Sequence, residues 1–279
     1  MARRVVDGLP PSFHQSFLPE RRHLSSILRL ASTAFDGTVE AIAVASGIPT
    51  GKSSGKVVPH IKYAKAMGLL ESSNANSGLY SLRLSPLGME VQKEDTALHE
   101  FITQLMAHLM LGRAIGGAMV WHVMFGESSV SLGQQFSIEA ATSFISSKLG
   151  RNSSIPGPLF STYREESSLA RSSMLSFEPG KVTRVPLPSN SENFWGIAFC
   201  WLSHWEASAP EDQQLALSRL EAATGFQEIS GWTALQYDAF LSLAEDRSVA
   251  RVDRQTGEPL VLRTASSRDL LSRIYSELV

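Results

Sequence analysis

The sequence predicts a mainly α-helical, α+β protein whose first 95 residues fold as a winged helix-turn-helix. Three observations carry that expectation. Apolar residues recur at helical spacing along much of the chain, beginning with Leu24, Ile27, Leu28 and Ala31. A turn rich in Gly, Pro and Ser at 48–55 separates two short helical patterns. Directly after them, alternating residues flank an Asn/Gly tip at 74–78 and read as a β-hairpin.

Taken in order, the first helix is expected over Arg21–Ala34, after a disordered start, and Asp36-Gly37 ends it. The second runs Thr38–Ser46, with Thr38 placed to cap it and Gly47 to stop it. The third begins at Lys56 or Val57 and ends at Met67, before Gly68. Leu69–Glu71 and Leu79–Leu84 form the hairpin, and Ser85-Pro86 opens a further helix, since proline is tolerated in a first turn.

Phe101–Phe125 is long and apolar enough to invite a membrane reading, with Gly112 and Gly116 at the spacing of membrane helix pairs. Gln104, His108, Arg113 and His122 interrupt it, and a central Arg costs at least about 2.5 kcal/mol in a bilayer. Two buried helices, near 96–111 and 114–125, are expected instead. Phe136–Leu149 reads as a helix, and the Ser/Pro-rich segment 151–190 as loop with one short helix near Glu165–Leu175. Asn193–Trp205, Pro210–Thr224 and Trp232–Ala244 read as helices, Ser248–Arg263 as a hairpin turning at Gln255-Thr256-Gly257, and Ser266–Leu278 as a last helix. The tail thus repeats the order of the front, which predicts a second winged-helix-like module near 192–279. The expected divisions are a winged helix at 1–95, a helical core region at 96–190 and a C-terminal module at 191–279.

The composition, 43% hydrophobic and 19% charged over 279 residues, supports a packed core. A single cysteine, Cys200, excludes an internal disulfide framework and points to a reducing, cytoplasmic setting. The start Met-Ala-Arg-Arg is followed by no apolar run, so no signal peptide is expected. The seven His are scattered and Cys200 has no partner at ligand spacing, so no metal is expected.

No cofactor is expected either. Gly47-Ile48-Pro49-Thr50-Gly51-Lys52-Ser53 places three residues between its glycines, where a phosphate loop needs four, and it follows a helix rather than a strand. His99-Glu100 has Thr103 where a metalloprotease would carry its second His, and no Gly-x-Gly-x-x-Gly occurs. The expectation is a protein that is not an enzyme.

Charge supplies the positive signal. Residues 1–95 hold 11 Lys/Arg against 8 Asp/Glu, which leaves 14 against 19 for the remainder of the 25 and 27. No acid lies between Glu40 and Glu71, while Lys52, Lys56, His60, Lys62 and Lys65 do. A basic patch on a mildly acidic body steers a polyanion better than the net charge of -2 suggests. Lys56, His60 and, less closely, Lys52 fall along one edge of the third helix, with Lys62 and Lys65 flanking. Such a helix can enter a major groove. Ser53, Ser54 and the amides at its start can hold a phosphate. Asn74, Asn76 and Arg83 on the hairpin would meet the adjacent backbone or minor groove. With no Arg on the helix, tracking of backbone or shape is favoured over base reading. The expected partner is duplex DNA. A basic face used for docking other protein subunits explains the same residues, and the two readings stay open side by side.

Several short motifs add a resemblance: Phe13-His14-Gln15-Ser16-Phe17, the Gly-Lys turn leading to Ile61-Lys62-Tyr63 and Gly68-Leu69, Leu84-Ser85-Pro86-Leu87-Gly88, and Trp121–Phe125. In this order the chain resembles the bacterial family called domain of unknown function 4007, well over about the first 150 residues and loosely beyond. Ala64 stands where that family has a tryptophan. Its members are encoded beside DNA-modification and anti-phage genes, including those for sulfur-based backbone modification. The resemblance implies a DNA-associated defence role within a complex, with no catalytic residues to carry over.

Overall fold

Capping side chains and glycine stops set many of the helix ends. The computed structural model describes residues 7–50, 55–71, 78–150, 156–189, 191–255 and 257–277. After β1 (Asp7–Leu9) and a turn come α1 (Arg21–Ser32), β2 (Asp36–Gly37), α2 (Val39–Ser46), α3 (Val57–Ala66), β3 (Tyr80–Ser81) and α4 (Pro86–Glu94). Thr38 accepts a hydrogen bond from the Ala41 amide at the start of α2, and Gly47 stops it at φ 69°. Ser85 caps α4 with Pro86 in its first turn.

The middle of the chain contains α5 (Phe101–Gly112), β4 (Ile115–Ala118), α6 (Met119–His122), a π-helical turn at Val123–Glu127 and α7 (Ser129–Leu132). Then follow β5 (Gln135–Phe136), α8 (Ile138–Leu149), α9 (Pro156–Arg164), β6 (Leu175–Glu178) and β7 (Lys181–Arg184). The tail consists of α10 (Phe194–Ser208), β8 (Gln214–Ala216), α11 (Leu217–Thr224), α12 (Phe226–Ile229), α13 (Ala234–Asp246), β9 (Ala250–Asp253), β10 (Leu260–Arg263) and α14 (Ser267–Leu270).

One pattern runs through all three stretches. A helix leads to a short strand, further helices follow, and a returning strand pairs antiparallel with that short strand. The sheet orders are β5-β7-β6 and β8-β10-β9, and the first stretch pairs β2 with β3 and adds a bridge between Leu70 and Leu84. The registers agree as well. The amides of Leu82, Arg184 and Arg263 each bond the carbonyl just before the short strand, on Phe35, Gln134 and Gln213. Arg184 and Arg263, at this matched place, are both buried, each over a ring (Phe136 at 5.4 Å, Trp205 at 5.3 Å). Each donates to a backbone carbonyl, Met124 at 2.9 Å and Pro210 at 3.3 Å, which offsets part of what burying the charge costs.

Several expectations change. The start is not disordered from Asp7 onward, because β1 lies parallel to β4. Asp36-Gly37 is a strand, not merely a helix stop. Within the expected loop, residues 156–189 form α9, a 3-10 turn at Ala170–Ser172 and the β6–β7 hairpin. The 210–224 helix begins only at Leu217, after β8, and the last helix is cut to Ser267–Leu270 with a 3-10 turn beyond it. No helix among the described residues is long and apolar enough to cross a membrane, and the 101–125 stretch is broken by β4.

Nearly all buried apolar side chains belong to one cluster, from Phe13 to Ile274. Its axis is α5, which buries eleven of twelve residues and meets α10 where Gly196 leaves room for Ile102. Close approach recurs at Gly88, where an added Cβ would overlap the Leu69 carbonyl oxygen. Because that obstacle is backbone, Gly88→Ala should lower unfolding stability by about 2 kcal/mol, read as a lower urea midpoint. An unchanged midpoint would show that α4 can slide away from Leu69.

Candidate nucleic-acid interface

α3 is a mostly buried helix: Val57, Pro59, His60, Ile61, Tyr63, Ala64 and Ala66 all point into the core. Val58, Lys62 and Lys65 remain partly exposed, at the i, i+4, i+7 positions of one face. They form the outer stripe. The structure therefore places Lys62 and Lys65 on one face and adds Val58 to it.

Lys56 and His60 are placed differently. His60 is fully buried. Its Nε2 accepts the Glu20 amide at 3.1 Å, so Nδ1 carries the proton and donates to the Lys56 carbonyl at 2.6 Å. This is a correction to the expected basic edge, where His60 stood beside Lys56. Burial pushes its imidazole down to about 4, only partly offset by the Lys56 carbonyl and Glu20, so it is neutral near pH 7.

The Lys56 ammonium turns toward the Glu20 carboxylate, which also meets Arg22 at 2.9 Å and lies 3.5 Å from His23 Nε2. Burial alone would raise the Glu20 carboxyl, but the Lys56 hydrogen bond and the surrounding positive charge hold it below its usual range. His23 is lowered by burial, with Glu20 pulling the other way. One carboxylate thus gathers three basic groups at the foot of α3. Glu20 carried no sequence signal, because its partner lies 36 residues away.

Arg83 sits at the strand pair, bonded to Asp36 at 2.9 Å and to the carbonyls of Leu82 and Phe35. Arg83 and Ser81 together hold the Asp36 carboxyl below its usual range. Lys52, Ser53, Ser54, Asn74 and Asn76 lie outside the described residues. Among the described residues no three His, Cys, Asp or Glu side chains converge as metal ligands. Cys200 is buried, and burial pushes its thiol up, which makes it a core residue.

The helix at the matching place in the tail, α13, differs in charge. It carries Asp238, Glu245 and Asp246 and no Lys or Arg, and Arg254 from the hairpin spans Asp238 at 3.1 Å and Glu245 at 2.7 Å.

The buried histidine gives a pH signature. Unfolded His60 takes up its proton near 6.5 and folded His60 only near 4, so unfolding binds a proton between those values. Stability should fall as pH drops from about 6.5 toward 4, by up to about 3 kcal/mol from this group. His108, lowered by burial to about 3, acts in the same direction. The urea midpoint should decline from pH 7 to pH 4.5, and less steeply in His60→Asn. A midpoint constant over that range would mean that His60 is solvated.

No known family model and no curated protein matches this sequence. Two solved structures do match in shape. The chain aligns with the SspB crystal structure at a TM-score of 0.70 and 15% identity, over 97% of this chain and 88% of that one. It aligns with the magnesium ion-bound SspB crystal structure at 0.69 and 14%, with the same coverage. The fold is therefore that of SspB, with the stripe of Val58, Lys62 and Lys65 on its third helix.

Proposed function

We propose that this chain is a non-catalytic subunit or regulator of a bacterial DNA-modification or anti-phage defence system, one that contacts duplex DNA through the outer face of α3. The SspB-like fold and the resemblance to domain of unknown function 4007 support the setting. The observation that carries the contact is the Val58–Lys62–Lys65 stripe. It lies on a helix with no acid of its own and is presented by a helix–strand–helix–helix–ladder unit, which we read as a winged helix. Lys62 and Lys65 would neutralise backbone phosphates, while Val58 gives a close, uncharged approach. Lys52, Ser53 and Ser54 precede the same helix and would extend the phosphate track. His60 is left out of the contact set, and Lys56 joins it only by leaving Glu20.

A second reading, an assembly subunit that docks protein without touching DNA, is favoured by two observations. Glu20 already neutralises Lys56, and α13 presents acid rather than base.

A salt titration separates them. Binding of the full chain to a labelled duplex should weaken as salt rises, and Lys62→Glu with Lys65→Glu should lower affinity at least about tenfold and reduce the log–log salt slope by about 2. Equal affinity and slope in the double variant would favour the protein-docking reading.

A further inference from the structure

Glu20 stands at the capping position before α1, yet its carboxylate caps no helix amide. Thr38, Ser85, Ser137 and Thr233 hold the same position before α2, α4, α8 and α13, and each accepts such an amide. Glutamate is also not among the residues that favour this place. The start of α1 therefore gives no reason for an acid here.

The carboxylate instead holds two cations. One oxygen takes the Lys56 ammonium. The other takes Nε and Nη2 of Arg22, both at 2.9 Å. Two imidazoles face the cluster, His23 from α1 and His60 from α3, and burial pushes both down, so neither adds charge near pH 7. Two positive groups thus meet one negative group, and a positive excess remains.

The partners differ in freedom. Glu20 is fixed, because its amide donates to His60 and its carbonyl accepts from the amides of His23 and Leu24. Its side chain is 11% exposed, against 26% for Lys56 and 70% for Arg22. The cations sit on long stems and can swing into solvent, where the acid cannot follow. Lys56 is one turn from the buried His60 and out of line with Lys62 and Lys65, so it serves the amino end of α3 rather than its outer face. Lys52, Ser53 and Ser54 precede that end in the sequence. The matched helix of the tail begins after Thr233, a simple cap, so this acid–base cluster belongs to the basic unit.

We propose that Glu20 attenuates duplex binding: its carboxylate withholds Lys56 and Arg22 from the phosphates that pass the amino end of α3. The inference rests on the duplex-binding reading above and names the residue that regulates that contact. Each withheld cation removes one counterion release from the binding equilibrium, so affinity is lower than a count of basic residues suggests. An ion pair that only held the fold would act differently. Its loss would lower stability and give the duplex nothing.

The test uses the full chain and Glu20→Gln, which removes the charge and keeps the size, with the urea midpoint of each variant confirming that it is folded. Duplex affinity should rise at least about fivefold, and the log–log salt slope should steepen by about 1 to 2. Lys56→Ala should cost at least about threefold more affinity in Glu20→Gln than in the wild type. Lysine acetylation read by mass spectrometry supplies a second measurement on the wild-type protein itself. There the duplex should protect Lys62 and Lys65 and leave Lys56 unchanged, whereas in Glu20→Gln it should protect all three. The inference alone is overturned if the wild type binds duplex and Glu20→Gln gains neither affinity nor slope, or if duplex protects Lys56 in the wild type as fully as Lys62. Absent or salt-insensitive binding in both proteins overturns the duplex-binding reading and the inference with it. Binding by Glu20→Gln alone would support attenuation in its strongest form.

Discussion

The structure depends on α5 being buried on every side. A helix so placed can turn no polar group toward water, so each must find a partner inside the protein. Thr103 meets the Tyr275 hydroxyl at 2.8 Å, Gln104 donates to the Leu98 carbonyl at 2.9 Å, and His108 bonds the Tyr163 hydroxyl at 2.6 Å. These bonds reach the tail, the preceding turn and α9. The central helix is therefore a spindle through which distant parts of the chain are held. His108 stays neutral there, since charging an imidazole in that setting would cost far more than the backbone hydrogen bond at Ile229 returns.

Around the spindle, one scaffold occurs three times with different outer faces. The matched helix is basic in α3 and acidic in α13, and the hairpin tip varies from the two residues Pro179-Gly180 to the longer link between β9 and β10. In the second and third units the inner positions agree in kind: Phe136 and Leu215 are buried at equivalent strand sites, as are Arg184 and Arg263, whereas the first unit has Gly37 and the buried Leu82 at those places. Packing fixes the inner positions, while the outer ones are open to charge. Surface chemistry, not topology, distinguishes the units.

How much was legible follows the range of the forces involved. Helix ends at Thr38, Gly47, Gly68 and Ser85 depend on local hydrogen bonds and φ, and they stood where the residues implied. The β9–β10 hairpin showed its alternation in the same way. The two-residue β2 has no pattern of its own and exists because β3 pairs with it from more than forty residues away. Pro156-Gly157-Pro158 reads as a breaker, although a helix accepts proline in its opening turn. The stripe of Lys62 and Lys65 came from charge counting. The inward turn of His60 did not, because a histidine one helical turn from a lysine looks the same on either face. Its neighbours Pro59, Ile61 and Tyr63, all buried, were the signal available.

The pairing of β1 with β4 has a consequence for synthesis. Asp7 aligns with Ile115 and Leu9 with Ala118, and nearby Phe13 meets Tyr63 edge-to-face and Trp121 at a tilt. The Pro19 carbonyl accepts from Ser168. The earliest described residues must therefore wait for partners made roughly a hundred or more residues later, a delay of about 5–20 s on a ribosome. During that interval Phe13 lacks its Trp121 neighbour and β1 its pairing strand, so the nascent chain offers them to chaperones before it can shelter them itself.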